Sequence, residues 1–149
     1  MVNYTSNTQA TLKQSMTSAK QLNYSDIVQQ VLSASKSIRF CGVVDKLGYI
    51  VYKKYRADIK QPILTEQENE RYALITTMRR RPNLPWREKV GQVYYFALRT
   101  EKFVQTTIPI SDNYLLLVYF ESDSKFDKII VDKLVPMLEG FYKGTALAW

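Results

Sequence analysis

The chain has 149 residues, 46% hydrophobic and 23% charged, the make-up of one globular domain that needs neither disulfides nor metal to fold. It contains no histidine, so Cys–His and Ser–His–Asp catalysis and His-based metal sites are excluded. Its 21 basic and 14 acidic residues give a net charge of +7, which either favours acidic partners or serves to keep the protein dispersed.

Residues 1–22 are rich in Ser, Thr, Asn and Gln and read as a flexible polar leader. Within them Leu12, Met16 and Ala19 share one helical face, which predicts a short docking helix from about Gln9 to Gln21. Ser25 is the expected N-cap of a first helix reaching about Ser37, with Ile27, Val28, Val31 and Leu32 on its apolar face. Ile38–Asp45 and Tyr49–Tyr55 read as two strands of a hairpin. Gly48 supplies the backbone freedom the turn needs, and Asp45 is expected to bond the local backbone.

A connection from Ala57 to Leu64 leads to the capping box Thr65–Glu68. The helix it opens carries Tyr72, Ile75 and Met78 and ends near Arg80, ahead of Pro82. A loop is expected over Pro82–Gly91, then strands over Gln92–Arg99, Phe103–Ile110 and Tyr114–Phe120. Pro109 is placed at a strand end or a free edge, because it cannot donate to a ladder. Ser124 and Asp127 form a second candidate capping box. Phe126, Ile130, Leu134, Met137 and Leu138 then make a helical stripe to about Glu139, with a kink or a solvated carbonyl near Asp132 forced by Pro136. Gly140 or Gly144 would end this helix, and residues 142–149 form a small tail.

The fold class that follows is α+β: a single, mostly antiparallel five-stranded sheet with three helices, in the order α-β-β-α-β-β-β-α. Alternation puts Phe40 and Val44 on one face and Cys41 and Val43 on the other. Likewise Leu115, Leu117 and Tyr119 oppose Leu116, Val118 and Phe120. Both faces are apolar. Two helices can cover one face, whereas the helix from Thr65 covers only part of the other. Either that helix suffices or a second subunit completes the cover.

No residue is assigned a catalytic, cofactor-binding or metal-ligating role, and the chain is read as a non-enzyme. The five glycines form neither G-x-x-x-x-G-K-[ST] nor G-x-G-x-x-G. Cys41, the one cysteine, reads as a buried inert thiol, and the absence of disulfides suggests a cytoplasmic protein. No apolar run approaches the roughly 18 residues of a membrane span. Lys53, Lys54 and Arg56 either attract anions or protect a strand edge. The basic patch Arg79, Arg80, Arg81, Trp86, Arg87 and Lys89 allows two readings. One is a nucleic-acid-binding module that pairs phosphates and stacks bases on Trp86; the other is a cation-dressed helix end with Trp86 anchoring its loop on the core.

Cys41-Gly42-Val43-Val44-Asp45-Lys46-Leu47-Gly48-Tyr49-Ile50-Val51 resembles the first hairpin of the Roadblock domain, the dynein light chain type with a profilin-like fold. The run Tyr114–Phe120 ahead of a C-terminal helix is similar to the family's last strand. The resemblance covers roughly Ser25 to Phe141, giving a domain over residues 23–141, and extends to a group of archaeal proteins of the same layout. It implies a dimeric, non-catalytic scaffold or regulatory adaptor, with a small GTPase as partner. It also implies a homodimer contact through Tyr72, Ile75, Met78, Tyr94 and Phe96. The loop from Arg79 to Lys89 and the leader depart from the family pattern. A hairpin of this kind also opens ligand-sensing domains of the PAS and Cache types, which are the competing expectation.

Overall fold

The computed structural model describes residues 23–80 and 86–142. Helix α1 (Tyr24–Ala34) is followed by β1 (Ile38–Asp45), β2 (Ile50–Tyr55), α2 (Glu66–Arg80) and a single-turn helix α3 (Arg87–Val90). Then come β3 (Phe96–Arg99), β4 (Phe103–Pro109), β5 (Tyr114–Glu121) and a C-terminal helical stretch. That stretch comprises α4 (Phe126–Ile129), a π-helical segment (Ile130–Leu134) and α5 (Val135–Tyr142). The strands form one sheet in the order β2-β1-β5-β4-β3, every neighbouring pair antiparallel. The five-stranded α+β architecture and the element order therefore stand, with α3 added inside the expected 82–91 loop.

Side-chain alternation sorts the core into two layers. Ile27, Val28 and Val31 of α1 and Ile130, Leu134 and Leu138 of the C-terminal stretch close over Cys41, Val43, Leu116, Val118 and Phe120. On the opposite face Phe40, Val44, Leu115, Leu117 and Tyr119 lie beneath α2. The central strand β5 is buried on both faces, as its unbroken apolar run requires. At one end of the sheet Glu121 accepts hydrogen bonds from Arg39 (2.9 Å) and Arg56 (3.1 Å), tying the ends of β1, β2 and β5 together.

The hairpin turn behaves as its residues dictate. Asp45 Oδ1 accepts from the amides of Leu47 (2.9 Å) and Tyr49 (3.0 Å). Gly48 has φ +94°, and a Cβ there would come within 3.2 Å of the Leu74 Cα, so the turn needs glycine twice over.

Several local expectations are corrected. Asn23, not Ser25, caps α1, its side chain accepting from the Asp26 amide at 3.0 Å. Ser25 instead receives the Tyr52 hydroxyl. The helix stops at Ala34 because Ser35 turns extended and its hydroxyl takes the Ser37 amide. Strand β3 begins at Phe96 rather than Gln92. In its register with β4, Tyr94 would fall opposite Pro109, which has no N–H to extend the ladder. Lys125 rather than Ser124 occupies the N-cap of α4, without a side-chain bond. Pro136 is accommodated by the π turn before it. There Val135 N–H reaches back to Ile130 O, and the wider turn relieves the clash a proline makes with the carbonyl four residues earlier. The predicted helix Gln9–Gln21, Arg81, Gly144 and residues 143–149 of the final tail lie outside the described residues, while Tyr142 belongs to α5.

Candidate protein-docking surface

Helix α2 starts at the predicted capping box. Thr65 Oγ1 accepts from the Glu68 amide (3.1 Å) and Glu68 accepts from the Thr65 amide (2.9 Å). This donation holds the Glu68 carboxyl below its ordinary range. The face that α2 turns to the sheet is built from small and polar residues: Asn69, Ala73, Thr76 and Thr77 are buried. Asn69 donates to the Tyr55 hydroxyl (2.8 Å) and accepts from the Tyr119 hydroxyl (2.9 Å). Thr76 and Thr77 return their hydroxyls to the Ala73 carbonyl.

The large apolar residues of α2 lie on its other side. Leu74, Ile75 and Met78 are 49%, 40% and 63% exposed. Such a distribution reverses the usual amphipathic helix, in which the large apolar side chains face the core.

The edge strand β3 continues this surface. The register β3–β4–β5 places Phe96 beside Thr107 and Leu117, and Leu98 beside Gln105 and Tyr119. Phe96 and Leu98 therefore stand on the α2 face, about 40% exposed, with Gln105 and Thr107 between them and the helix. Tyr72 reaches Tyr119 from α2, and Phe103 meets the same ring edge-on at 5.3 Å. Apolar side chains thus stand on α2 and on β3 to either side of the buried Gln105 and Thr107, and among the described residues β3 has no further strand beside it.

The contact residues that the family resemblance implies lie on or beside these two elements. Tyr72, Ile75 and Met78 are on α2 and Phe96 is on β3. Tyr94 is half exposed just ahead of β3. Leu98 joins Phe96 on the same strand face, two residues on, whereas Leu74 lies on the other flank of α2, against the β1–β2 turn at Gly48. Of the basic patch, Arg79 and Arg80 occupy the last turn of α2, while Arg87 and Lys89 lie on α3. Trp86 is 53% exposed, so it does not seat in the core.

Burial pushes the Cys41 thiol up, away from the reactive thiolate. Tyr24 and Tyr95 are pushed up to about 12, first by burial and then by their hydrogen bonds to Tyr114 and Asp127. These hydroxyls remain protonated and act as donors. Among the described residues no cluster of carboxylate or thiol ligands suits a metal ion. No helix among them is long and apolar enough to cross a membrane.

No protein-family model matches the chain, and no curated protein matches it. Solved structures do. An MglB described with a tetrameric arrangement superposes with a TM-score of 0.62 at 11% identity, over 80% of this chain and 85% of that one. The gliding protein MglB from Thermus thermophilus gives 0.60 at 10% identity, over 80% and 86%. A Roadblock/LC7 domain from Streptomyces avermitilis gives 0.55 at 8% identity, over 79% and 92%. What the chain shares with these proteins is their architecture: its fold is that of the Roadblock/LC7 domain.

Proposed function

We propose that this chain is a non-catalytic, homodimeric scaffold or regulatory adaptor that works through the surface formed by α2 and β3, with a small GTPase as its partner. The observation that carries the reading is the reversed helix: α2 is fastened to its own sheet by Ala73 and hydrogen bonds while Leu74, Ile75 and Met78 face outward. A second copy laid antiparallel along β3 would pair two free edges and let the two α2 helices cover each other's exposed isoleucine and methionine. The similar MglB described with a tetrameric arrangement supports self-assembly as a property compatible with this fold. The GTPase as partner rests on the Roadblock resemblance of the hairpin and the last strand.

The test of the partner is gel filtration of the purified protein with small GTPases from its own organism. Each GTPase is loaded with GDP or with a non-hydrolysable GTP analogue. A co-eluting complex that depends on the bound nucleotide supports the proposal; the absence of a complex with any of them removes the GTPase from it.

A further inference from the structure

The sheet has a second free edge, β2, and its chemistry differs from that of β3. Arg56 N–H donates to Arg39 O, so residue 56 is in a hydrogen-bonded position facing β1. In an antiparallel ladder these positions alternate, so the main-chain groups of Tyr55 and Lys53 point outward, away from β1. Among the described residues none bonds those outward amides. The side chains of the same two residues share the α2 face, opposite Phe40 and Gly42.

Beside this edge lies an open groove of about 550 Å³, lined by Lys53 and Tyr55, by the connection from Lys60 to Leu64, and by the first turn of α2. That volume is in the range of about 300–1,000 Å³ that holds small ligands and side chains. Its lining combines Pro62, Ile63 and Leu64 with the Lys53–Glu66 ion pair and the amino group of Lys60. A strand added to β2 would therefore bond Lys53 and Tyr55 through its main chain and drop every second side chain into the groove.

Charge selects the occupant. Around the edge Lys53 and Glu66 pair with each other, and Arg56 pairs with Asp58 and Glu121, so these charges are balanced within the chain. Two cations are left over: Lys60, which lines the groove and which no carboxylate among the described residues pairs, and Lys54 on the opposite face of the edge strand, which bonds the neutral Gln29. Residues 1–22 carry Lys13 and Lys20 and no acidic residue, so they do not complement this edge. We infer that the β2 edge and its groove form a docking site for an extended acidic peptide segment of another protein. That segment alternates apolar residues with Asp or Glu and binds by strand addition. The site is separate from the α2–β3 surface and does not depend on the proposal made for it.

The test is selection of a displayed random-peptide library on the full chain, followed by synthesis of the enriched peptides. The expected peptides alternate acidic and apolar residues and slow hydrogen exchange at the Lys53 and Tyr55 amides. They should lose roughly tenfold in affinity to K60E, where a favourable charge contact becomes repulsive, and bind I75D as they bind the parent. N-methylation of alternate peptide amides should abolish binding in one phase and spare it in the other, a signature of strand pairing. The inference is overturned by failure to enrich any peptide, by a neutral or basic consensus, or by peptides that leave the Lys53 and Tyr55 amides unprotected.

Discussion

On the face of the sheet beneath α1 and the C-terminal helices, Val43, Leu116, Val118 and Phe120 are sealed by Ile27, Val31, Ile130, Leu134 and Leu138. On the face beneath α2, Phe40, Leu117 and Tyr119 are covered just as completely, but from α2 by an alanine, two threonines, an asparagine and the half-buried Tyr72, and the cover ends before β3. The first face is closed by large side chains. The second is closed only where α2 lies, and its large apolar residues are displayed on the helix exterior and along β3. On the reading proposed above, the same five strands carry two tasks: one face makes the domain stable, and the other is the one proposed to associate.

Breaking the closed face should have the largest thermodynamic effect. Leu116→Ala removes a fully buried side chain from the layer under α1 and should cost about 2–5 kcal/mol in denaturant unfolding, with no change in assembly at concentrations where the variant stays folded. The attachment of α2 should be weaker and of a different kind. Asn69→Ala strips the partner from the Tyr55 and Tyr119 hydroxyls and should cost about 1–3 kcal/mol. Adding Tyr119→Phe to that variant should cost less than the same change made alone, because the hydroxyl it removes has already lost Asn69.

The smallest effect should come from the start of α2. Thr65→Ala should cost about 1 kcal/mol through loss of the cap. Glu68 sharpens this with pH. Its folded pKa is depressed below the ordinary 4.5, chiefly by the Thr65 amide, so the stability it contributes is present above that value and is lost as pH falls through the folded pKa. The melting-temperature gap between the parent and Glu68→Gln should therefore be open at neutral pH and closed in acid.

Much of the scaffold was legible because it follows from local rules. The alternation along Ile38–Val44 and Tyr114–Phe120 assigned each side chain to its layer, and Thr65–Glu68 marked the start of α2. The start of β3 was not legible, because it depends on which β4 residue lies opposite. Pro109 meets Tyr94 only once the register is known. Asn23 and Ser25 are equally good caps by type, and the hydroxyl of Tyr52, distant in sequence, occupies the second. On the proposed docking surface Tyr72, Ile75 and Met78 follow from the family resemblance, whereas the inward positions 69, 73, 76 and 77 carry no apolar stripe. Their role appears only when Tyr55 and Tyr119 arrive from two different strands. The β2 groove was not legible at all, since its lining comes from a strand, a connection and a helix start that meet only in space.

The measurement that tests the account most directly is solution mass by light scattering behind size exclusion, at several concentrations, for the parent chain and for I75D. The account predicts a parent of twice the chain mass and a folded I75D of single mass, because a carboxylate cannot be buried against a second α2. A parent that stays at single chain mass across the concentration range, or an I75D that remains a dimer, would contradict it.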